Sequence, residues 1–352
     1  MDAQRNPYRG TGLPEGALAE APWPSTDSGA VARLLGHCPA AAETPLVSAP
    51  ALAARAGVAE LWLKDERGRM GLGSFKALGA AYAIAQEAAA AGGDWARALE
   101  GRVFITASAG NHGLSVAVGA RIFGARAVIV LSETVPEAFA IRLRDKGAEV
   151  VRAGAIYEDS MAEAMRLAEA EGWTLLSDSS WPGYTDAPFR IMEGYLQLAE
   201  EAVAQMAAPP THVLLQAGVG GLAGAVAALV RARWGDAPVV AVVEPQAAPA
   251  LIGSIRAGRL VDTEGPVSAM GRLDCKTASL IALKGLARDA DLFVTVSEEE
   301  AADAVAALGA EGLATTPSGG AGVAALLAGE AVERLGLGPG SRVMCILSEG
   351  PE

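Results

Sequence analysis

Apolar strand-like runs and helix-like stretches alternate at short intervals along most of this chain. "AELWLKDE" (59–66) reads as a strand ending at a polar turn. "SFKALGAAYAIAQEAAAAGG" follows as a helix with Ser74 placed to cap it. "RVFITAS" (102–108), "RAVIVLS" (126–132), "EVVRAG" and "WTLLSD" (173–178) read as strands. Between them "NHGLSVAVGARIFG" (111–124), "VPEAFAIRLRDKGA" (135–148) and "IYEDSMAEAMRLAEAEG" read as helices. A further helix at about 188–206 precedes the almost wholly apolar strands "HVLLQA", "VVAVVE" and "RVMCILS". The first 40 or so residues look irregular. Such alternation calls for an α/β fold, parallel sheets covered by helices.

A chain of 352 residues has room for two lobes. Hydrophobic residues make up 51% but aromatics only 5%, so the core is built on Ala, Val and Leu. The net charge of −13, without a basic run, argues against a nucleic-acid partner. Three widely separated cysteines and three histidines form no metal-ligand cluster and fit a reducing cytoplasm. "VLLQAGVGGLAGAVAALV" (213–230) is uncharged and nearly membrane-spanning in length, but its four glycines favour a buried strand, a turn and a buried helix. No membrane partner is expected.

Three strand-to-helix loops could carry chemistry. "QAGVGGLAG" (216–224) frees backbone N–H groups at a helix N-terminus, which makes an anion seat. Its spacing Gly218-x-Gly220-x-x-Ala223 also satisfies a dinucleotide fingerprint, and Glu244 stands where a ribose-binding acid would. An NAD-dependent oxidoreductase is therefore a second reading. "TASAGNHG" (106–113) offers another seat, suited to a carboxylate, with Asn111 as a short two-way hydrogen-bonding arm. His112 there either meets backbone at the helix start or acts on substrate. "CILSEG" (345–350) delivers Ser348 to the carboxyl end of a strand, to cap a turn or to serve a ring nitrogen. Lys76, in "LGSFKALGAAYAI" (72–84), is on its own either a solvated helix charge or a covalent catalyst.

The ordered set "TPL" (44–46), "LWLKDE" (61–66), "GSFKALGA" (73–80), "SAGNHG" (108–113), "QAGVGG" (216–221), "VVEP" (242–245) and "LSEG" (347–350) resembles the fold-type II pyridoxal-phosphate enzymes. These have the tryptophan synthase β-like architecture, two open parallel-sheet domains with the cofactor in the cleft between them. Within that group "GLGSFKALGAAYAIAQ", "WPGYTDAP" (181–188), "THVLLQAGVGGLAG" (211–224) and "GRLDC" (271–275) resemble the diaminopropionate ammonia-lyase family. The resemblance implies a large cofactor-binding domain from residues 1–95 and 182–352, with a small domain, 96–181, inserted in it. It implies that Lys76 holds pyridoxal 5'-phosphate as a Schiff base, with Phe75 packed beside it. Asn111 would bond the ring hydroxyl and Ser348 the pyridine nitrogen. The N–H groups of Gly218, Val219, Gly220, Gly221 and Leu222 would bind the phosphate. Ser108, Ala109, Gly110, Asn111 and His112 would receive the substrate carboxylate. Asp178 matches a family acid near the substrate that would bind the second amino group and, itself or through a neighbour, protonate it as it leaves, although an Asp after a strand also fits a turn cap.

Two positions depart from the family. Ala109 stands where ammonia-lyases that accept both enantiomers carry an aspartate. Alanine cannot take a proton, so Lys76 remains the only base and L-amino acids are preferred. Pro317, in "TTPSGGAG", stands where many relatives carry an acid near the cofactor. The resulting expectation is β-elimination of an L-amino acid, 2,3-diaminopropionate first, giving pyruvate and ammonia in a cytoplasmic homodimer. A serine/threonine-type dehydratase, or an eliminase of another 3-substituted amino acid, is the alternative within the class.

Overall fold

Side-chain alternation along the central strands shows why they read as unbroken apolar runs: both faces are covered. The structure is a computed structural model that describes residues 1–351 except 15, 17 and 39. Its strands are β1 (Ala3–Arg5), β2 (Leu46–Ser48), β3 (Glu60–Asp65), β4 (Val103–Ala107), β5 (Arg126–Leu131), β6 (Glu149–Arg152), β7 (Thr174–Leu175), β8 (His212–Gln216), β9 (Val239–Pro245), β10 (Leu292–Val296) and β11 (Arg342–Leu347). A seven-stranded sheet runs β1-β10-β9-β8-β11-β3-β2, and a four-stranded sheet runs β6-β5-β4-β7. All neighbours are parallel except the edge pairs β1/β10 and β2/β3.

In the larger sheet Val213, Leu215, Val240, Val242 and Phe293 face helices Gly221–Trp234 and Leu280–Asp289. Their neighbours Leu214, Ala241, Val243 and Val294 face Glu298–Ala310 and Ala321–Leu327. In the smaller sheet Phe104, Ile129 and Leu131 join the first of these cores, while Ile105, Val128 and Val130 pack towards Tyr157–Glu171. One core thus runs continuously from sheet to sheet. The helix Lys76–Ala91 lies within it, so close to Asn111–Ile122 that a methyl on Gly119 would sit 2.9 Å from Ile84 Cδ1.

Several elements differ from expectation. β10 lies outside the strands expected from the apolar runs, and the edge strands β1 and β2 lie in stretches too short to show a period. β7 stops at Leu175, although Leu176 N–H still bonds Ile105 C=O at 2.8 Å before the chain turns. The helix expected at 188–206 is two, Asp186–Gly194 and Leu196–Gln205. They part at Gly194, which packs so tightly that a methyl there would meet Leu78 O at 2.6 Å. The helix after Ser74 begins at Lys76 with Phe75 in the cap position, and the Ser74 hydroxyl accepts the Lys76 N–H at 3.3 Å.

The supposedly polar turn after β3 is buried. Lys64 and Glu66 are 0% exposed and Arg69 1%. Lys64 Nζ lies 2.7 Å and Arg69 Nη2 2.6 Å from Glu201 Oε2, and Arg69 Nε lies 2.7 Å from Glu66 Oε2. The Thr44 hydroxyl donates to Glu66 at 2.6 Å. Two cations and two anions neutralise one another there, and removing one partner of such a set costs about 3–5 kcal/mol. The network fastens the segment that leads into Lys76.

Among the described residues no helix is long and apolar enough to cross a membrane. The uncharged run at 213–230 is β8, a turn and the start of Gly221–Trp234, with Gly220 at φ +98°.

Candidate active site

Parallel strands of both sheets end at one cleft, as open α/β sheets place their sites. β8 ends in the glycine loop, β11 in Ser348 and Glu349, β4 in residues 108–110, and Asp178 follows β7. The helix Lys76–Ala91 starts there too.

The Lys76 ammonium is ion-paired and hydrogen-bonded to Asp178 Oδ2. It lies 5.2 Å from the centre of the Phe75 ring and 5.9 Å from that of Tyr195. Burial is the largest single influence and lowers the lysine pKa, but the charge and hydrogen bond of Asp178, with Tyr195 and Cys275 beside it, together outweigh burial and the net shift is upward. Asp178 moves the other way: burial raises it, and the charge and hydrogen bond of Lys76 pull it well below the usual carboxylate range. Paired with the Lys76 ammonium in the cofactor-free protein, Asp178 is thus an ionised carboxylate. The Tyr195 hydroxyl is buried beside the Lys76 amine, and burial raises its pKa.

The glycine loop lies against the same cluster. A methyl on Gly221 would fall 3.7 Å from Tyr195 Cε2 and 4.0 Å from Asp178 O, and one on Gly218 would meet Cys275 Sγ at 3.0 Å. Among the described residues no protein acceptor takes the N–H groups of Gly218, Gly220, Gly221 or Leu222. Val219 N–H faces the Cys275 sulfur. Unpaired donors at the start of a helix of 14 residues fit a phosphate.

Across the cleft, the Ser108 hydroxyl accepts the N–H groups of Gly110 at 3.2 Å and Gly113 at 3.1 Å. Gly110 N–H is therefore committed, while those of Ala109, Asn111 and His112 take no acceptor among the described residues. His112 Nε2–H donates to Leu176 O at 2.7 Å, so the backbone contact at the helix start is real. Its Nδ1 is buried and unpartnered, and burial lowers the imidazole pKa, keeping the ring neutral. Asn111 Nδ2 donates to Glu349 Oε2 at 2.6 Å.

Ser348 is 4% exposed, its carbonyl accepts Phe75 N–H at 3.1 Å, and its hydroxyl has no protein partner among the described residues. A cavity of about 200 Å³ opens beside Asn111 between Arg67, Arg142 and Arg272. Free donors, a lone amine and an unpaired hydroxyl suit the phosphate, aldehyde and ring nitrogen of a pyridoxal phosphate.

Sequence reasoning missed Glu349, Tyr195 and Cys275. "LSEG" contains Ser348, which the sequence singles out, and "GRLDC" carries only the family resemblance, but nothing along the chain marks the acid as buried. Glu244, the acid of the dinucleotide reading, does something else. Its two oxygens accept Leu251 N–H at 2.7 Å and Ile252 N–H at 2.8 Å, anchoring the helix Ala250–Ala257. Burial raises its pKa to about 8 against those two bonds, and at 0% exposure it is out of reach of a ribose.

Comparison with known proteins gives the same direction. Diaminopropionate ammonia-lyase of Escherichia coli K12 is 34% identical over 281 residues, 76% of this chain and 69% of that protein. The Salmonella typhimurium enzyme is 37% identical over 232 residues, 60% of this chain and 57% of that protein. Mouse serine dehydratase-like protein is 32% identical over 303 residues, 86% of each chain. The E. coli lyase, solved with an aminoacrylate-PLP azomethine reaction intermediate, superposes with a TM-score of 0.88 at 30% identity, covering 99% of this chain and 93% of that one. With the pyridoxal-phosphate dependent enzyme profile matching residues 38–349, this chain belongs to that family and has its type II fold.

Proposed function

We propose that this chain is a β-eliminating ammonia-lyase that converts L-2,3-diaminopropionate and water to pyruvate and two ammonia. The observation that carries the reading is the Lys76–Asp178 pair beside the glycine loop with its unpaired N–H groups. Similarity to the two bacterial lyases supports the substrate. Pyridoxal phosphate, when bound, supplies covalent capture of the amino group and electron withdrawal from Cα.

The protein's own groups do the rest. Lys76 would hold the cofactor through its Nζ, and the same amine, when free, would take the Cα proton. Phe75 packs beside the ring, Asn111 bonds its hydroxyl oxygen, and Ser348 meets its nitrogen with a neutral hydroxyl. The loop at 218–222 seats the phosphate. The open N–H groups at 109, 111 and 112 bind the substrate carboxylate, with Ser108 bracing the loop through Gly110 and Gly113. The ionised Asp178 holds the second amino group as an ammonium, so that it departs as neutral ammonia. The released enamine hydrolyses to pyruvate and the second ammonia. Ala109 offers no base on the opposite face, which restricts the reaction to L substrates. We take 1–95 with 182–352, and 96–181, as the two domains, working as a cytoplasmic homodimer.

Ala109 also suits a serine or threonine dehydratase, as does the mouse relative. Incubation with L- and D-2,3-diaminopropionate, L-serine and L-threonine separates the readings. The proposal expects oxo acid from the L-diamine, with two ammonia per pyruvate. Oxo acid from serine or threonine alone would replace it with the dehydratase.

A further inference from the structure

Glu349 is 3% exposed and follows Ser348 directly, at the end of β11. Its Oε2 accepts Asn111 Nδ2 at 2.6 Å and lies 3.0 Å from Arg272 Nε. Its Oε1 accepts the Thr316 hydroxyl. Thr316 Oγ1 in turn accepts Gly319 N–H at 3.0 Å, so its proton is directed at the carboxylate. Thr315 Oγ1 fixes the Glu349 main chain by donating to its carbonyl at 2.6 Å. The loop containing Pro317, itself without an acid, is thus wrapped around one supplied by β11.

We propose that Glu349 is a positioning residue that sets the orientation of the Asn111 carboxamide toward the cofactor ring. An ionised carboxylate only accepts, so the amide nitrogen of Asn111 must face it. Arg272, 3.0 Å away, balances the carboxylate charge in its buried site. One Asn111 N–H is then occupied by Glu349, and its second N–H remains for the oxygen on the cofactor ring. The reverse orientation would aim a carbonyl at that oxygen, and two acceptors repel. The contact also ties the helix Asn111–Ile122, beside the smaller sheet, to the larger sheet at the reacting end of the cleft.

The inference rests on the placement of Asn111 at the ring hydroxyl, and the test separates the two. Holoprotein carrying Glu349→Gln, Asn111→Ala or both is compared by absorption spectrum and by retention of pyridoxal phosphate on dialysis. A donor to the ring oxygen favours its deprotonated, visible-absorbing form. E349Q, which permits either amide orientation, is expected to move part of the absorption into the near-ultraviolet. It should also weaken retention about five-fold, the worth of one net hydrogen bond. N111A should do the same, and the double variant should be no worse than N111A, because both act through one contact. An unchanged spectrum in N111A overturns the placement of Asn111. A shift in N111A with none in E349Q, or additive shifts in the double variant, overturns the role of Glu349. Should E349Q not fold, Thr316→Val, which removes one partner of the same carboxylate, is expected to shift the spectrum in the same direction, and no shift again refutes the role.

Discussion

Replacing Asp178 by Asn keeps the shape of the side chain and removes its charge. Lys76 and Asp178 are 23% and 20% exposed, so the pair is largely but not wholly desolvated. Breaking a fully buried pair costs about 3–5 kcal/mol; allowing for the remaining exposure, D178N should destabilise the cofactor-free protein by about 2 kcal/mol. The sign with pH follows from the two shifts. The depressed Asp178 contributes stability above the ordinary carboxylate range, and that contribution is lost on acidification below it. The raised Lys76 contributes below the ordinary lysine value of 10.5 and loses it only at more alkaline pH. The stability gap between wild type and D178N should therefore be flat through neutrality and close in acid. In catalysis, losing the carboxylate that holds the second ammonium should lower turnover of L-2,3-diaminopropionate about 100-fold. 3-Chloro-L-alanine, whose chloride leaves without a proton, should lose less than about 10-fold. Pyruvate release from both substrates is the assay. Equal losses would refute the leaving-group role, and no loss with the diamine would remove Asp178 from the mechanism.

Gly220 has φ +98°, and a methyl there would meet Ala282 Cβ at 3.0 Å and Leu251 Cδ1 at 3.2 Å. G220A should therefore lose about 1–3 kcal/mol of stability in denaturant titrations and weaken pyridoxal phosphate retention, through strain in the phosphate loop. Glu244, raised to about 8 by burial, binds its proton more tightly folded than unfolded. Wild-type stability should accordingly fall as pH rises from about 5 to 8, by roughly 3 kcal/mol from this group. E244Q, measured by denaturation midpoint at both ends of that window, should flatten the slope, although one N–H of the helix Ala250–Ala257 then loses its acceptor.

The parallel-sheet core was legible because strands buried on both faces leave continuous apolar runs, and helices with one polar edge separate them. The loops were legible because glycine and small residues gather wherever backbone must approach a ligand. The acid at position 349 was not. Its partner Asn111 lies 238 residues away, and Thr316 and Arg272 come from two further segments, so no local period or spacing records their meeting. The same holds for Lys64, Glu66 and Arg69: a charged cluster after a strand reads as solvated, and only Glu201, on a distant helix, makes its burial tolerable. The Asp178 role was half visible. Sequence supplied an acid for the leaving group, but the adjacent ammonium that keeps it ionised belongs to the folded cleft. Elsewhere the misjudged boundaries sit where tertiary approach intervenes, as at Gly194, where the helix breaks against Leu78.

The central claim is the covalent attachment of pyridoxal phosphate at Lys76. Purified protein should show a visible cofactor band that borohydride abolishes, and peptide mapping should then find the reduced pyridoxyl group on the peptide containing Lys76, with K76A colourless and inactive. A label on another lysine, or a K76A variant with undiminished elimination, would contradict the account.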